Sequence, residues 1–218
     1  MKTVLVTGGT LRLGGAIADA FRAAGWRVAA SSHRPEAGAD IVADLSAESG
    51  ADRLYEAALD LFGRPPDALV NNAALFAGPD ARLEAVNLRA PVRLTELMAA
   101  RGSAGPGLGA VVNLLDSQVF WPVAAGESFY LGCKRRLRAE TVRSARDFAS
   151  TLRVNAVAPG PVLVPVGMHV SAGATLLPRR PTPEDVASAV LYLAEAASVT
   201  GVVIPVDAGQ HLAENVGL

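Results

Sequence analysis

Lys2-Thr3-Val4-Leu5-Val6-Thr7-Gly8-Gly9-Thr10-Leu11-Arg12-Leu13-Gly14-Gly15 is the run that decides the fold. Lys2–Thr7 is short, apolar and β-rich, the signature of a buried strand. A glycine-rich turn follows, and Gly14-Gly15 opens a helical pattern that continues to Ala24 and stops at Gly25. Strand, glycine turn and helix in immediate succession suit a nucleotide-binding unit. The glycines let the backbone turn tightly and approach a pyrophosphate, while the helix N-terminus adds partial positive charge. A tight packing turn would use the same glycines, so the reading depends on the rest of the chain.

The alternation continues outward from this run. Trp26–Ser31 reads as a second strand and Asp40–Ala43 as a third, followed by Asp44. Glu48–Phe62 reads as a helix that Arg64-Pro65-Pro66 breaks. Ala68–Asn71 is a fourth strand, Leu83–Ala100 a helix, Arg101–Gly109 a surface loop and Ala110–Leu115 a fifth strand. Ser128–Ala149 is a long helix, and Leu152–Val157 a sixth strand ended by Pro159-Gly160. After an irregular segment, Pro161–Pro181, comes a helix over Pro183–Ala196 with Thr182 as its N-cap, then a last strand, Val202–Val206. Strands and helices alternating without repeat or linker predict a single α/β domain over residues 1–218. Its sheet should be doubly wound, seven-stranded and mostly parallel. Ligands of such folds bind beyond the carboxyl ends of the strands.

Composition narrows the function. The 218 residues are half hydrophobic with a net charge of −1, which allows an ample core and leaves no electrostatic footprint for nucleic acid or an anionic membrane. A single cysteine, Cys133, excludes an intrachain disulfide and a cysteine-based zinc site, and no metal is expected. The apolar runs are too short to span a bilayer, and Met1-Lys2 leads straight into a strand. No signal peptide and a cytoplasmic setting are expected, with a small-molecule substrate as partner.

The strand ends carry the candidate chemistry. Arg12 puts a bulky cation beside the expected phosphates. It reads as a ligand of the pyrophosphate, the substrate or both, or else as a solvated arginine at a helix start, where the dipole disfavours it. Ser31-Ser32-His33-Arg34 lacks the carboxylate that would bond an NAD ribose and offers two basic side chains instead, which favours the 2′-phosphate of NADP over NAD. An ordinary polar turn is the alternative. Asp44-Leu45 could bond and cover an adenine. Asn71-Asn72-Ala73-Ala74-Leu75-Phe76 ends the fourth strand and Asn113-Leu114-Leu115-Asp116-Ser117 the fifth. Tyr130 and Lys134 stand four apart on the long helix, so they share one face. An ammonium there would favour the phenolate and lower the tyrosine pKa toward neutrality. Lys2 and Lys134 are the only lysines in a chain that otherwise uses arginine, so an ammonium stands where habit would supply a guanidinium.

Taken together, these pieces resemble the short-chain dehydrogenase/reductase family along nearly the whole chain. The matching motifs are the Thr7–Gly14 turn (with Gly8, Leu13 and Gly14), Asp44-Leu45, Asn71–Ala74, Asn87, Tyr130 with Lys134, Pro159-Gly160 and Asp207-Ala208-Gly209. The resemblance implies a Rossmann-like domain, a nicotinamide cofactor, with NADPH favoured over NADH, and a homotetramer or dimer. It makes Tyr130 the proton donor, with Lys134 binding the nicotinamide ribose and tuning it. Asn87 would hold a water of the proton relay. Ser32, His33, Arg34, Asn72, Ala73, Pro159, Gly160 and a backbone contact at Val162 join the cofactor site.

The chain departs from the common pattern at Arg12, where a glycine is usual, and at Asp116, where a serine is usual. With His33-Arg34 and Phe76, these departures resemble the pteridine reductase branch and its bacterial dihydromonapterin reductase relatives. That likeness implies that Arg12 lies by the phosphates and substrate, that Phe76 stacks a pterin against the nicotinamide, and that Asp116 joins Tyr130 in proton delivery. Phe76 also reads as a core or lid aromatic. Counting back from Tyr130 puts Ser117 rather than Asp116 at the catalytic position, which would make an ordinary carbonyl or alcohol oxidoreductase with Ser117 bonding the carbonyl oxygen. Within Pro165–Arg180, His169 and Arg179-Arg180 either reach the substrate or belong to a solvated loop.

Overall fold

Val4, Leu5, Val6, Leu69, Val70, Val111 and Val112 expose no surface, as befits strands covered on both faces. In the computed structural model, which describes residues 1–102, 107–162 and 175–213, these runs form one parallel sheet. Its strands are β1 (Thr3–Val6), β2 (Arg27–Ser32), β3 (Ile41–Val42), β4 (Ala68–Asn71), β5 (Gly109–Leu114), β6 (Leu152–Pro159) and β7 (Val203–Val206). They lie in the order β3-β2-β1-β4-β5-β6-β7. The order reverses between β1 and β4, which opens a crevice at their carboxyl ends.

Helices α1 (Arg12–Ala23) and α6 (Pro183–Glu195) cover one face of the sheet. Ile17 and Phe21 of α1 meet Val190 and Leu193 of α6 over Val4, Val6, Val70 and Val112. The other face carries α2 (Gly50–Phe62), α3 (Asp80–Glu84), α4 (Ala90–Arg101) and α5 (Phe129–Asp147). Leu54 and Tyr55 of α2 pack with Leu94 and Met98 of α4 over Leu5, Leu69 and Val111. A short α7 (Gln210–Ala213) follows β7. No helix among the described residues is long and apolar enough to cross a membrane.

Several boundaries differ from the sequence reading for identifiable reasons. α1 begins at Arg12 rather than Gly14, because the Gly15 N–H already bonds the Leu11 carbonyl at 3.1 Å and closes the first turn early. The helix expected over Leu83–Ala100 starts at Asp80 and is interrupted by a π-turn, Ala85–Arg89, before α4. β6 continues to Pro159 because it stays paired to β7 as far as Val206. The 3₁₀ turn Ser117–Phe120 and α7 have no periodic signature and were not expected. Thr182 does cap α6. Its hydroxyl accepts from the Asp185 N–H while the Asp185 carboxylate accepts from the Thr182 N–H.

A buried polar seam ties the sheet to α5. The register sets Asn71 beside Asn113, whose Oδ1 accepts from Asn71 Nδ2 at 2.8 Å. Asn113 Nδ2 donates to the Thr141 hydroxyl at 2.9 Å, and that hydroxyl donates to the Leu137 carbonyl at 2.8 Å. Replacing Thr141 with Val keeps the volume and strands a buried amide donor. Thr141→Val is expected to lower the unfolding free energy by about 1–3 kcal/mol, read from urea denaturation, with the denaturant slope unchanged.

Candidate active site

The crevice at the β1/β4 switch point is built from backbone. Gly8 sits at φ 60° and would place a Cβ 3.1 Å from Ala73 Cα. Gly14 has still less room: a Cβ there would lie 1.9 Å from the Gly8 carbonyl oxygen and 2.6 Å from Asn72 Nδ2. Asn72 and Ala73 act from behind this turn. Asn72 Nδ2 donates to the carbonyls of Thr7 and Gly8 at 3.0 and 3.1 Å, and the Asn72 and Ala73 N–H groups both donate to Thr7 Oγ1. Leu13 turns inward onto the core shared by α1 and α6. Helix α1 has neither a side-chain cap nor a carboxylate in its first turn. Its leading N–H groups therefore stay available to an anion, and the turn fits a pyrophosphate. Arg12 stands at the head of this helix, exposed, at φ 53°, in the left-handed region where glycine is usual.

The far end of the crevice is a cleft lined by Gly8, Ser31, Ser32, His33, Asp44 and Leu45, with Arg82 on the side of α3. Ser32 Oγ accepts from the Arg34 N–H at 3.0 Å, and His33 Nε2 accepts from Arg34 Nε at 3.3 Å. Asp44 Oδ1 accepts from both the hydroxyl and the N–H of Ser46, at 2.7 and 2.8 Å. These bonds, the hydroxyl first, hold its carboxyl below the usual range. Leu45 is buried beneath. The donors and apolar walls fit the adenosine half of a dinucleotide, and among the described residues Asp44 is the acidic side chain that lines the cleft. Arg82 carries no sequence motif that would have marked it.

The chemistry gathers where β5 ends. Lys134 is buried, and its ammonium donates to the Leu114 carbonyl at 2.8 Å. Burial pulls its pKa down to about 8. It lies 5.7 Å from the centroid of the Tyr130 ring. The Tyr130 hydroxyl donates to Asp116 Oδ2 at 3.4 Å. Burial, and then the Asp116 carboxylate, push the tyrosine pKa up, which corrects the expectation that Lys134 lowers it. The four-residue spacing does bring the side chains to one face, but here the ammonium is spent on a carbonyl and the hydroxyl on a carboxylate. Burial likewise raises the Asp116 carboxyl, against the pull of the Gln118 N–H, Lys134 and Tyr130.

Asp116 and Ser117 part company at the 3₁₀ turn. Asp116 is its N-cap and accepts from the Gln118 N–H at 2.9 Å, leaving Oδ2 for Tyr130. Ser117 is buried, and its hydroxyl donates to Gln210 Oε1 of α7 at 3.3 Å. Gln210 escaped the sequence reading because only tertiary folding brings α7 here. Phe76 is 71% exposed, with its ring centroid 4.8 Å from that of Tyr130. Asn87 is fully buried inside the π-turn. Its side chain exchanges two bonds with the Leu75 backbone, accepting from N–H at 3.2 Å and donating to C=O at 2.7 Å.

Pro159 ends β6, and Gly160 has no room for a side chain beside Asp207, whose Cβ would be 2.6 Å away. The Val162 N–H, expected to contact the cofactor, donates to the Gly160 carbonyl at 2.8 Å. Arg179 pairs with Asp185 in the first turn of α6 at 2.5 Å. His169 lies outside the described residues.

A family model described as Enoyl-(Acyl carrier protein) reductase matches residues 12–211. The ketoacyl reductase 2 assigned to granaticin polyketide synthase in Streptomyces violaceoruber is 34% identical over 95% of each chain. The FolM alternative dihydrofolate reductase 1 of Brucella suis, solved with NADP, is 33% identical over 97% of this chain and 95% of its own, with a TM-score of 0.84. A blue fluorescent protein from a metagenomic library, solved with NADPH, is 26% identical over 96% and 97%, with a TM-score of 0.85.

The buried ammonium makes stability depend on pH. A lysine whose pKa falls from 10.5 to about 8 on folding binds fewer protons than the unfolded chain between those values. Its contribution is present above about 10.5 and is lost as pH falls through about 8. Cys133, Tyr55 and Tyr130, all pushed up chiefly by burial, act oppositely at the alkaline end. The difference between wild type and Lys134→Met therefore isolates the effect. Urea titrations from pH 7 to 10 should show wild type gaining stability relative to the variant as pH rises.

Proposed function

The chain belongs to the short-chain dehydrogenase/reductase family of oxidoreductases, and on that premise we propose that it is an NADPH-dependent reductase of a flat, pterin-like heterocycle. Residues 1–218 act as one domain and as a homodimer or homotetramer, as the family resemblance implies, and the single cysteine favours a cytoplasmic setting. The observation that carries the substrate reading is the pairing of the Tyr130 hydroxyl with the Asp116 carboxylate while Ser117 is turned to Gln210. The choice of NADPH is supported by the NADP and NADPH held by the Brucella and metagenomic relatives, and by His33 and Arg34 at the end of β2.

The leading N–H groups of α1, with Arg12, Leu13 and Gly14, would hold the pyrophosphate. Ser32, His33 and Arg34 would take the 2′-phosphate, Asp44 and Leu45 the adenine, and Tyr130 and Lys134 the nicotinamide ribose. Gly8, Asn72 and Ala73 shape the turn, and Pro159, Gly160 and Val162 border the nicotinamide end. When bound, the nicotinamide supplies a hydride to carbon. Reduction of a ring C=N also requires a proton at nitrogen, and this chain's own groups provide it. Tyr130 keeps its proton at neutral pH. Asp116, raised by burial, accepts and returns a proton more readily than an exposed carboxylate. Lys134, still charged below about pH 8, favours the transient phenolate, and Asn87 serves the relay behind it. Phe76, exposed beside Tyr130, offers a face on which a flat heterocycle can stack.

A second reading, carbonyl reduction by Ser117 and Tyr130, draws on the ketoacyl reductase among the relatives. NADPH oxidation separates the two. With dihydrobiopterin and dihydrofolate, turnover well above that with simple ketones is expected, and turnover of ketones alone would sink the pterin reading. Tyr130→Phe should reduce kcat by about 10²–10⁴-fold. Asp116→Asn should cost most of the activity toward pterins, whereas Ser117→Ala should retain it. The reverse order of the last two would move the reaction to Ser117.

A further inference from the structure

Arg82 lies in the first turn of the helical segment that begins at Asp80, where the dipole disfavours a cation. Among the described residues it makes no direct ion pair, although, after the Ser46 hydrogen bonds, its charge helps hold the Asp44 carboxyl below the usual range. Its Nε donates to Ser46 Oγ at 3.3 Å, and that hydroxyl donates to Asp44 Oδ1 at 2.7 Å. A chain of hydrogen bonds thus runs from α3 to the carboxylate at the end of β3. The guanidinium lines the same cleft as Leu45, Ala74, Leu75 and Val86. These walls are apolar and suit a flat base, and Arg82 is the cation that α3 brings to them.

We infer that Arg82 closes the adenine subsite by laying its guanidinium on the open face of the base. A guanidinium is planar and stacks on π-systems as an ammonium does not. Contact with the 2′-phosphate is the weaker assignment. Arg82 stands on the Asp44 side of the cleft, where a carboxylate would repel that phosphate, while His33 and Arg34 stand at the β2 end. Arg82 would therefore strengthen NADPH and NADH alike, whatever discrimination His33 and Arg34 supply.

The inference rests on the dinucleotide reading above, and one experiment separates the two. Wild type, Arg82→Ala and Arg82→Lys are titrated with NADPH and with NADH, following nucleotide fluorescence. Because Arg82 is exposed, the three proteins should melt together. The expected result is a Kd about five- to tenfold higher for both nucleotides in Arg82→Ala, with Lys failing to restore it. Unchanged affinity in Arg82→Ala would overturn the assignment and leave the cofactor reading intact. A loss confined to NADPH, or full rescue by Lys, would make Arg82 a phosphate ligand and overturn the adenine contact. Wild type binding neither nucleotide would overturn the cofactor reading and this inference with it.

Discussion

The contact on which the rest depends is the one between Gly14 and the Gly8 carbonyl, where a methyl group would sit 1.9 Å from oxygen. That closeness brings the start of α1 against the end of β1, and the Asn72 amide locks it by bonding the two carbonyls of the turn. One side chain thus joins β4, β1 and the α1 turn at the point where the strand order reverses. The helix N-terminus faces the crevice because nothing larger than hydrogen intervenes. Arg12 fits the same frame at a cost, since a left-handed backbone is disfavoured by roughly 1–2 kcal/mol for a residue with a Cβ.

The site at the end of β5 is held by a different force. Three ionisable groups, Lys134, Tyr130 and Asp116, are withdrawn from water, and burial is the largest influence on each. It pushes the lysine down and the other two up, toward their neutral forms. The charges that remain offset one another: the ammonium near the carboxylate, and the hydroxyl bonded to it. Burial thereby drives the proton affinities of tyrosine and lysine apart while bringing those of lysine and aspartate closer.

Much of this was legible in the sequence. The central strands were readable because they are short β-rich runs bounded by glycine, proline or asparagine, and β4 fell on Ala68–Asn71 as read. Thr182 was readable as a cap because capping is local. What escaped depends on contacts between distant segments. Whether Asp116 or Ser117 meets Tyr130 turns on a 3₁₀ turn with no periodic pattern and on Gln210, 93 residues away. The Tyr130–Lys134 spacing predicted a shared face but not where the ammonium points, since its acceptor is a backbone carbonyl. Arg82 belongs to no motif, and only the fold brings it to the cleft.

The π-turn at Ala85–Arg89 carries one residue more than an α-helical turn would use. Losing any one residue there would restore a regular helix at the expense of phase, rotating everything upstream by about 100° relative to α4. Asn87 would leave the Leu75 backbone, and Arg82 would swing off the crevice. The stretch from Asn72 to Arg101 should therefore tolerate changes of residue far better than changes of length, although it reads as an ordinary loop and helix.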